Sequence, residues 1–299
     1  MGHRSGTVAV VGRPNVGKST IINALVGQKV SIISDKPQTT RNRLLGIATD
    51  PDWQIVFVDT PGIHKPKHRL GRALNDVAKQ SMSGVDALLM VVDISRAPGP
   101  GDRMIADWTL QSDGEIGITP RRILCLNKMD LLKAKDVEAR YESYQAMFQP
   151  DEIMMTSCTR VQNLDLLTGL LVASLPEGEP LYDDDSVTDQ SVQFLAAEMV
   201  REKLLHATRE ELPHAISTYV ESWEEEDGLV DISVVILVER DSQKAIVIGK
   251  KGQMLKKVGS LARIEIEEMI DCKVFLSLFV KVRTDWRQNP RILKELGYL

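Results

Sequence analysis

Between an apolar run, Thr7 to Val11, and a helical stretch, Thr20 to Val26, stand Gly12, Arg13, Pro14, Asn15, Val16, Gly17, Lys18 and Ser19, spaced as G-x-x-x-x-G-K-[ST]. This octapeptide, with Thr20 behind it, leaves a chain few choices of fold. Its glycines let backbone N–H groups wrap a row of phosphates, and the following helix turns its positive dipole end toward them. Lys18 is spaced to reach the β- and γ-phosphates and Ser19 to ligate Mg²⁺. Such a loop works where a buried strand feeds a helix, so the motif predicts an open sheet with ligands along its strand C-termini.

The rest of the N-terminal half fits that prediction. Trp53 to Asp59, Ala87 to Val92 and Arg122 to Asn127 read as further buried strands among longer helical stretches, the pattern of an α/β domain with a mostly parallel sheet and helices on both faces. Near Leu175 the text changes to a proline-rich acidic stretch, Pro176 to Pro180 and Asp183 to Asp185, which reads as a linker. We therefore expect a nucleotide-binding domain over 1–175, a linker over 176–189 and a second domain over 190–299. A length of 299 residues supports two cores. No apolar run approaches the roughly 18 residues needed to cross a bilayer, and Met1 to Gly6 carries neither a signal core nor a myristoylation pattern. Cys125, Cys158 and Cys272 are too scattered for a zinc site or a disulfide framework, which suits a reducing cytoplasm.

Two more motifs complete a nucleotide site. Asp59, Thr60, Pro61 and Gly62 follow the second strand, where the carboxylate can hold Mg²⁺ through its water shell and Gly62 can offer its N–H to a γ-phosphate. Asn127, Lys128, Met129 and Asp130 follow a later strand. An ionised Asp130 accepts from guanine N1–H and the N2 amine. Adenine offers neither, and would leave the carboxylate unsatisfied. Asn127 would tie its loop to the phosphate loop or to the base, with the Lys128 stem over the ring. Where other GTPases place a water-orienting glutamine, this chain has Ile63, so unassisted hydrolysis is expected on the order of minutes or slower per turnover. His64 is a neighbouring alternative, more in keeping with a bystander.

The net charge of −5 hides a segregation. Residues 186–239 carry 3 Lys/Arg against 12 Asp/Glu, whereas 240–299 carry 13 against 7. Within the basic part, Ile248, Gly249, Lys250, Lys251, Gly252 and Gln253 form a G-x-x-G turn with two lysines, and Lys256, Lys257 and Arg263 follow on a predicted helix, Gln253 to Ile270. Glycines permit close approach to a nucleic-acid backbone and lysines meet phosphates. One helix (Gln190 to His206), two alternating strands (Ile216 to Trp223, Leu229 to Glu239), the G-x-x-G helix pair and a last strand (Lys273 to Val282) resemble a KH domain of the bacterial α+β type. Trp286 could stack on a base or be buried.

Taken together, Gly12 to Thr20, Pro37 to Arg43, Val58 to Pro66, Arg201 to Lys203 with Glu211 to Pro213, Ile248 to Gln253, and Trp286-Arg287 with Leu296 to Tyr298 resemble the Era family of ribosome-assembly GTPases over nearly the whole chain. The resemblance implies a monomeric cytoplasmic protein, partly peripheral at the cell membrane, that binds GTP and GDP with Mg²⁺. Its KH part would take the single-stranded 3′ end of small-subunit rRNA during maturation of the small ribosomal subunit. It also implies that Pro37 to Arg41 is the first switch, with Thr40, or Thr39 next to it, joining Ser19 and Asp59 at the Mg²⁺. Thr156, Ser157 and Cys158 would be the last guanine loop, with Cys158 where alanine is usual, and Asn15 stands where some relatives bind K⁺. Lys18, Thr40 and Gly62 would carry the catalytic contacts. Two rival readings remain at this point: an RNA-binding module whose nucleotide site is a relic, and a GTPase with a protein or membrane effector.

Overall fold

The computed structural model describes residues 2–36, 38–63, 66, 68–111 and 119–298. It divides into two compact units, one of 1–31, 40–67 and 71–189, the other of 32–39, 68–70 and 190–299.

In the first unit the strands are β1 (Arg4–Val11), β2 (Leu44–Asp50), β3 (Trp53–Asp59), β4 (Ala87–Asp93), β5 (Arg121–Asn127) and β6 (Glu152–Met155). They form one sheet in the order β2-β3-β1-β4-β5-β6. The four expected strands are β1, β3, β4 and β5, and they pair in parallel with Val10 beside Asp59 and Asp93 beside Asn127. Registry thus brings three polar strand ends, Val11-Gly12, Asp59 and Asn127, to one edge. β4 is buried along its whole length, because helices cover both faces. The helices are α1 (Lys18–Val26), α2 (Arg69–Gln80), α3 (Pro100–Gln111), α4 (Val137–Phe148) and α5 (Leu164–Ser174). Two apolar clusters form the core, one containing Phe148, Ile105 and Met82, the other Ile21, Ile22 and Leu171.

Strand β2 is the departure from a simple alternating pattern. It runs antiparallel to β3 across the Pro51-Asp52 turn, with Ile47 beside Val56. The acidic stretch 176–189 lies along it: Ile47 N–H donates to the Val187 carbonyl at 2.9 Å and Leu45 N–H to Asp189 Oδ1 at 2.9 Å. Buried Gln54 anchors the same stretch by accepting from Leu181 and Tyr182 N–H at 2.7 and 2.9 Å. An exposed edge of a sheet is in this way partly covered, which limits pairing with other chains.

In the second unit, α6 (Val192–Ala207) and the short α7 (Leu212–Ala215) precede β7 (Ser217–Glu226) and β8 (Leu229–Val238); α8 (Asp241–Ile248), α9 (Gln253–Ile270), β9 (Lys273–Val282) and α10 (Pro290–Glu295) follow. Strands β7 and β8 are antiparallel and β8 and β9 parallel. Ser191 caps α6 by accepting from Phe194 N–H. The core joins Val200 and Leu204 of α6, alternate residues Val230 to Val238 of β8, and Val258, Ala262 and Ile266 at helical spacing on α9. Trp286 is fully buried, its indole N–H donating to the Ala215 carbonyl at 3.0 Å and its ring stacked on Tyr298. Of the two fates open to it from sequence, burial is the one adopted.

Candidate nucleotide site and basic groove

Residues 12–17 link β1 to α1, and Lys18 and Ser19 open that helix. Lys18 is buried, with Nζ 3.1 Å from the carbonyls of both Gly12 and Arg13. Burial pushes its ammonium down to about 8, against the pull of Asp59. Ser19 Oγ lies 2.9 Å from Asp59 Oδ2 and 3.0 Å from Thr40 Oγ1, and Thr40 Oγ1 lies 3.4 Å from the same carboxylate oxygen. Of the two candidate threonines, Thr40 is the one brought to Ser19 and Asp59. Thr39 turns its hydroxyl to the Lys36 carbonyl at 2.7 Å.

Asp59 is the centre of this cluster and is 0% exposed. Burial raises its pKa, opposed by Lys18 and by hydrogen bonds from Ser31, Ser19 and Thr40. All three hydroxyls meet Oδ2, while Oδ1 is buried with no hydrogen-bond partner among the described residues. An orphaned carboxylate oxygen beside two hydroxyls is a set of hard oxygen donors, the kind that suits Mg²⁺ directly or through its waters. The residues present therefore fit that ion. The loop after Asp59 closes on the phosphate loop: Thr60 Oγ1 donates to the Val10 carbonyl at 2.7 Å and Ile63 N–H to the Gly12 carbonyl at 3.3 Å. Pro61 and Gly62 run so near the loop that a Cβ on Gly62 would sit 2.8 Å from the Pro14 nitrogen. Ile63 is buried in the apolar core, where its side chain cannot align water. Pro37 and His64 lie outside the described residues.

The loop of Asn127 to Asp130 docks onto the same structure. Asn127 Nδ2 donates to the Val16 carbonyl at 2.8 Å, so it ties to the phosphate loop. Its Oδ1 accepts from Thr156 Oγ1, Cys158 N–H and Cys158 Sγ at 3.2, 3.4 and 3.2 Å. Lys128 adopts a left-handed backbone and its Nζ bonds the Asn15 carbonyl at 2.6 Å and Asp93 Oδ2 at 2.9 Å. Met129 N–H meets the Thr156 carbonyl at 3.0 Å. Asp130 Oδ1 accepts from Ser157 Oγ at 2.6 Å, which orients the carboxylate without neutralising it. Burial raises the Cys158 thiol to about 12, so it serves as a small neutral donor and not as a nucleophile.

Sequence reading missed three side chains here. Ser31 bonds Asp59 Oδ2 at 2.9 Å. Asp93, held below the usual carboxylate range because hydrogen bonds from Ser95 and Lys128 outweigh its burial, anchors Lys128. Fully buried Asp102 on α3 bonds Arg13 Nε at 2.8 Å and the Gly99 N–H at 2.8 Å, so Arg13 braces the loop from outside. None sits in a recognisable motif; only Asp93, at the polar end of an apolar strand, carried a signal.

In the second unit, Gly249 and Gly252 flank the Lys250-Lys251 turn between α8 and α9. Gly249 has φ 73°, and a Cβ there would lie 2.6 Å from Met254 Cβ, so the turn demands glycine. Lys250, Lys251, Lys256, Lys257, Arg263 and Gln253 are exposed and Ile248 half-buried. A groove of about 310 Å³ is lined by Gly252, Lys256, Gly259, Ser260, Arg263 and Phe275. Lys256 and Arg263 flank it, seven residues apart on one face of α9, whereas Lys257 is not among its lining residues. The groove can take an unstacked strand, with cations on one wall and the exposed Phe275 ring on the other. Among the described residues no helix is long and apolar enough to cross a membrane.

Residues 7–128 match the family described as 50S ribosome-binding GTPase, and residues 211–287 the KH domain family. GTPase Era of a Thermoanaerobacter species is 44% identical over 300 residues, covering 100% of this chain and 97% of that protein. GTPase Era of Geobacter metallireducens is 46% identical over 297 residues, covering 99% and 98%. A crystal structure of an Aquifex aeolicus Era tyrosine-to-alanine variant bound to GDP·AlF4⁻ superposes with a TM-score of 0.91 at 40% identity, covering 99% of each chain. Another, of Era with MgGDPNP and nucleotides 1506–1542 of 16S ribosomal RNA, gives 0.92 at 40% identity over the same share. With both halves matched by family and the full length matched by sequence and fold, the chain belongs to the GTPase Era family.

Proposed function

We propose that the protein hydrolyses GTP as a switch in small-subunit assembly. Its GTP-bound form holds the single-stranded 3′ end of the small-subunit rRNA, and conversion to GDP releases it. Support comes from the similar Era structure described with MgGDPNP and 16S ribosomal RNA and from the basic groove beside the Gly249 turn. In this reading residues 1–175 are the GTP-binding domain, 176–189 the linker and 190–299 the KH domain.

The observation that carries the reading is the convergence of Ser19 and Thr40 on Asp59 Oδ2 beside the buried Lys18, with Asp59 Oδ1 left buried and without a hydrogen-bond partner among the described residues. When bound, Mg²⁺ neutralises charge that develops on the phosphate oxygens. Ser19 and Thr40 supply hydroxyl ligands and Asp59 a carboxylate behind the water shell. Residues 12–17 and Thr20 cradle the phosphates, and Lys18 adds a positive charge where negative charge accumulates in the transition state. Thr60 and Pro61 set the path by which the Gly62 N–H meets the γ-phosphate. Asp130 reads the guanine edge, Asn127, Lys128 and Met129 hold that loop in place, and Ser157 and Cys158 close it. Ile63 leaves the attacking water without a side-chain guide, so a partner accelerates turnover. Ile248 to Gln253 with Lys256, Lys257 and Arg263 receive the RNA backbone.

Calorimetry with guanosine and adenosine nucleotides tests the base assignment, with strong preference for guanosine expected. Asp130→Asn should move that preference toward xanthosine nucleotides, whose extra oxygen accepts from an amide; retained guanosine selectivity would show that another group reads the base. Two finer expectations accompany this reading. If K⁺ sits beside Asn15, hydrolysis is faster in K⁺ than in Na⁺, and equal rates remove it. A peripheral membrane contact predicts sedimentation of the cytoplasmic monomer with anionic vesicles.

A further inference from the structure

The stretch 32–39 lies between α1 and β2 in sequence yet groups with the second unit. Helix α6 grips both ends of it. Glu202 Oε1 accepts from the Ile33 N–H at 2.9 Å, and His206 Nε2 lies 3.0 Å from the Ile33 carbonyl. At the other end Arg201 Nη2 donates to the Thr39 carbonyl. The next residue, Thr40, places its hydroxyl at Ser19 and Asp59. One peptide bond therefore separates a carbonyl held by α6 from a candidate Mg²⁺ ligand.

Stability does not account for Arg201. Its side chain is 0% exposed and pairs with Glu198 through Nε at 2.7 Å and Nη2 at 2.5 Å, but Nη1 is buried with no partner among the described residues. A buried guanidinium with an unmet donor costs stability relative to an apolar side chain of similar volume. What such a group contributes is position, because its Nη2 fixes the Thr39 carbonyl against α6. The grip extends toward the basic turn. Lys203 bonds Glu202 Oε2 at 2.9 Å and also Glu265 on α9, the helix that follows Gly252. Glu202 thus serves the Ile33 N–H with one oxygen and the α6–α9 contact with the other.

We propose that Arg201, with Glu202 and His206, is the positioning set of the first switch: it holds residues 32–39 so that Thr40 is presented for GTP and Mg²⁺, and makes GTP affinity depend on the packing of α6 against α9. The proposal rests on the functional reading above and assigns residues to its regulation. A ligand that favours one packing of α9, such as RNA at the Gly249 turn, then tightens GTP, and GTP tightens RNA by the same factor.

The test uses the full chain, with affinities for GDPNP with Mg²⁺ and for GDP measured by fluorescence competition. Both are measured with and without a single-stranded oligonucleotide of the rRNA 3′ end. Arg201→Met, an apolar replacement of similar length, should weaken GDPNP about tenfold, the loss of one charge-assisted hydrogen bond. It should leave GDP within about twofold and erase the tightening by RNA, while RNA affinity in GDP is retained. His206→Ala, on the exposed side of the grip, should act in the same direction by about two- to threefold. A GDPNP-to-GDP ratio and an RNA effect that both stay at wild-type values in the two variants overturn the proposal. Should Arg201→Met fail to fold, His206→Ala decides alone: the reduced ratio upholds the grip and an unchanged ratio refutes it. A wild-type protein without guanosine preference or RNA binding overturns the functional reading instead, and the wild-type arm reports that separately.

Discussion

Around Asp59, polar groups interlock: Ser19, Ser31 and Thr40 share one carboxylate oxygen at 2.9, 2.9 and 3.4 Å, with Lys18 buried beside them. Around Gly249, by contrast, Lys250, Lys251, Lys256 and Lys257 stand in solvent, without an ion pair among the described residues. Both regions are suited to phosphate, but by different physics. The first is preorganised in a low-dielectric site, where each group is already oriented and one misplaced atom is costly. The second relies on solvent-exposed cations whose attraction is shared, screened and replaceable. From this contrast we expect sharp, residue-specific losses at the first region and graded, salt-dependent ones at the second.

The largest effect should come from Asp59→Asn. GDPNP affinity in Mg²⁺ is expected to fall by about two orders of magnitude, because an amide cannot serve as the anionic oxygen ligand. Chelating Mg²⁺ from the wild type should reproduce much of the loss, whereas a variant that binds GDPNP normally would break the comparison at its stronger side. Next, Lys250→Asp with Lys251→Asp should weaken binding of a single-stranded rRNA oligonucleotide by more than about thirtyfold at low salt, and flatten the slope of log affinity against log salt by about 1.4. Nucleotide affinity should hold in the same protein, and a steep slope that survives the double change would place the phosphate contacts elsewhere.

Smaller effects refine the picture within the nucleotide site. Asp93→Ala frees Lys128 from its carboxylate partner, and GDP should dissociate about tenfold faster in stopped-flow measurements. An unaltered rate would mean that the Asn15 carbonyl suffices to hold Lys128. Cys158→Ala removes one weak thiol contact to Asn127 while keeping the backbone N–H that points there, so GDP affinity should shift by less than about threefold. A larger loss would promote the thiol from a tolerated substitution to a determinant of base binding.

How much of this could be read from residues alone follows from how local each feature is. The phosphate loop, the Asp59-Thr60-Pro61-Gly62 turn and the Asn127 to Asp130 loop were legible because each needs a fixed spacing at the end of an apolar strand. Helices α6 and α9 and strands β7 to β9 were legible for a similar reason, since the apolar period of each segment matches its element. Their boundaries lie within a few residues of the expected ones. Residues whose partners are remote were not legible. Asp102 meets Arg13 across 89 positions and Arg201 meets Thr39 across 162, and no short pattern encodes such a pair.

Composition and spacing by themselves determined that a glycine-rich loop at 12–19, an Asn-Lys-x-Asp loop at 127–130 and a basic glycine turn at 249–252 exist, and that two compact units carry them. That much is set by backbone sterics, helix dipoles and hydrophobic period, which act over a few neighbouring residues. Only the tertiary structure decided that Thr40 and not Thr39 meets Asp59, that β2 turns antiparallel, that the acidic stretch pairs along it, and that the backbone of Ile33 and Thr39 hydrogen-bonds to α6. Those outcomes depend on which buried donors and acceptors find each other once the chain is compact, and burial is what makes an unmatched one too costly to leave.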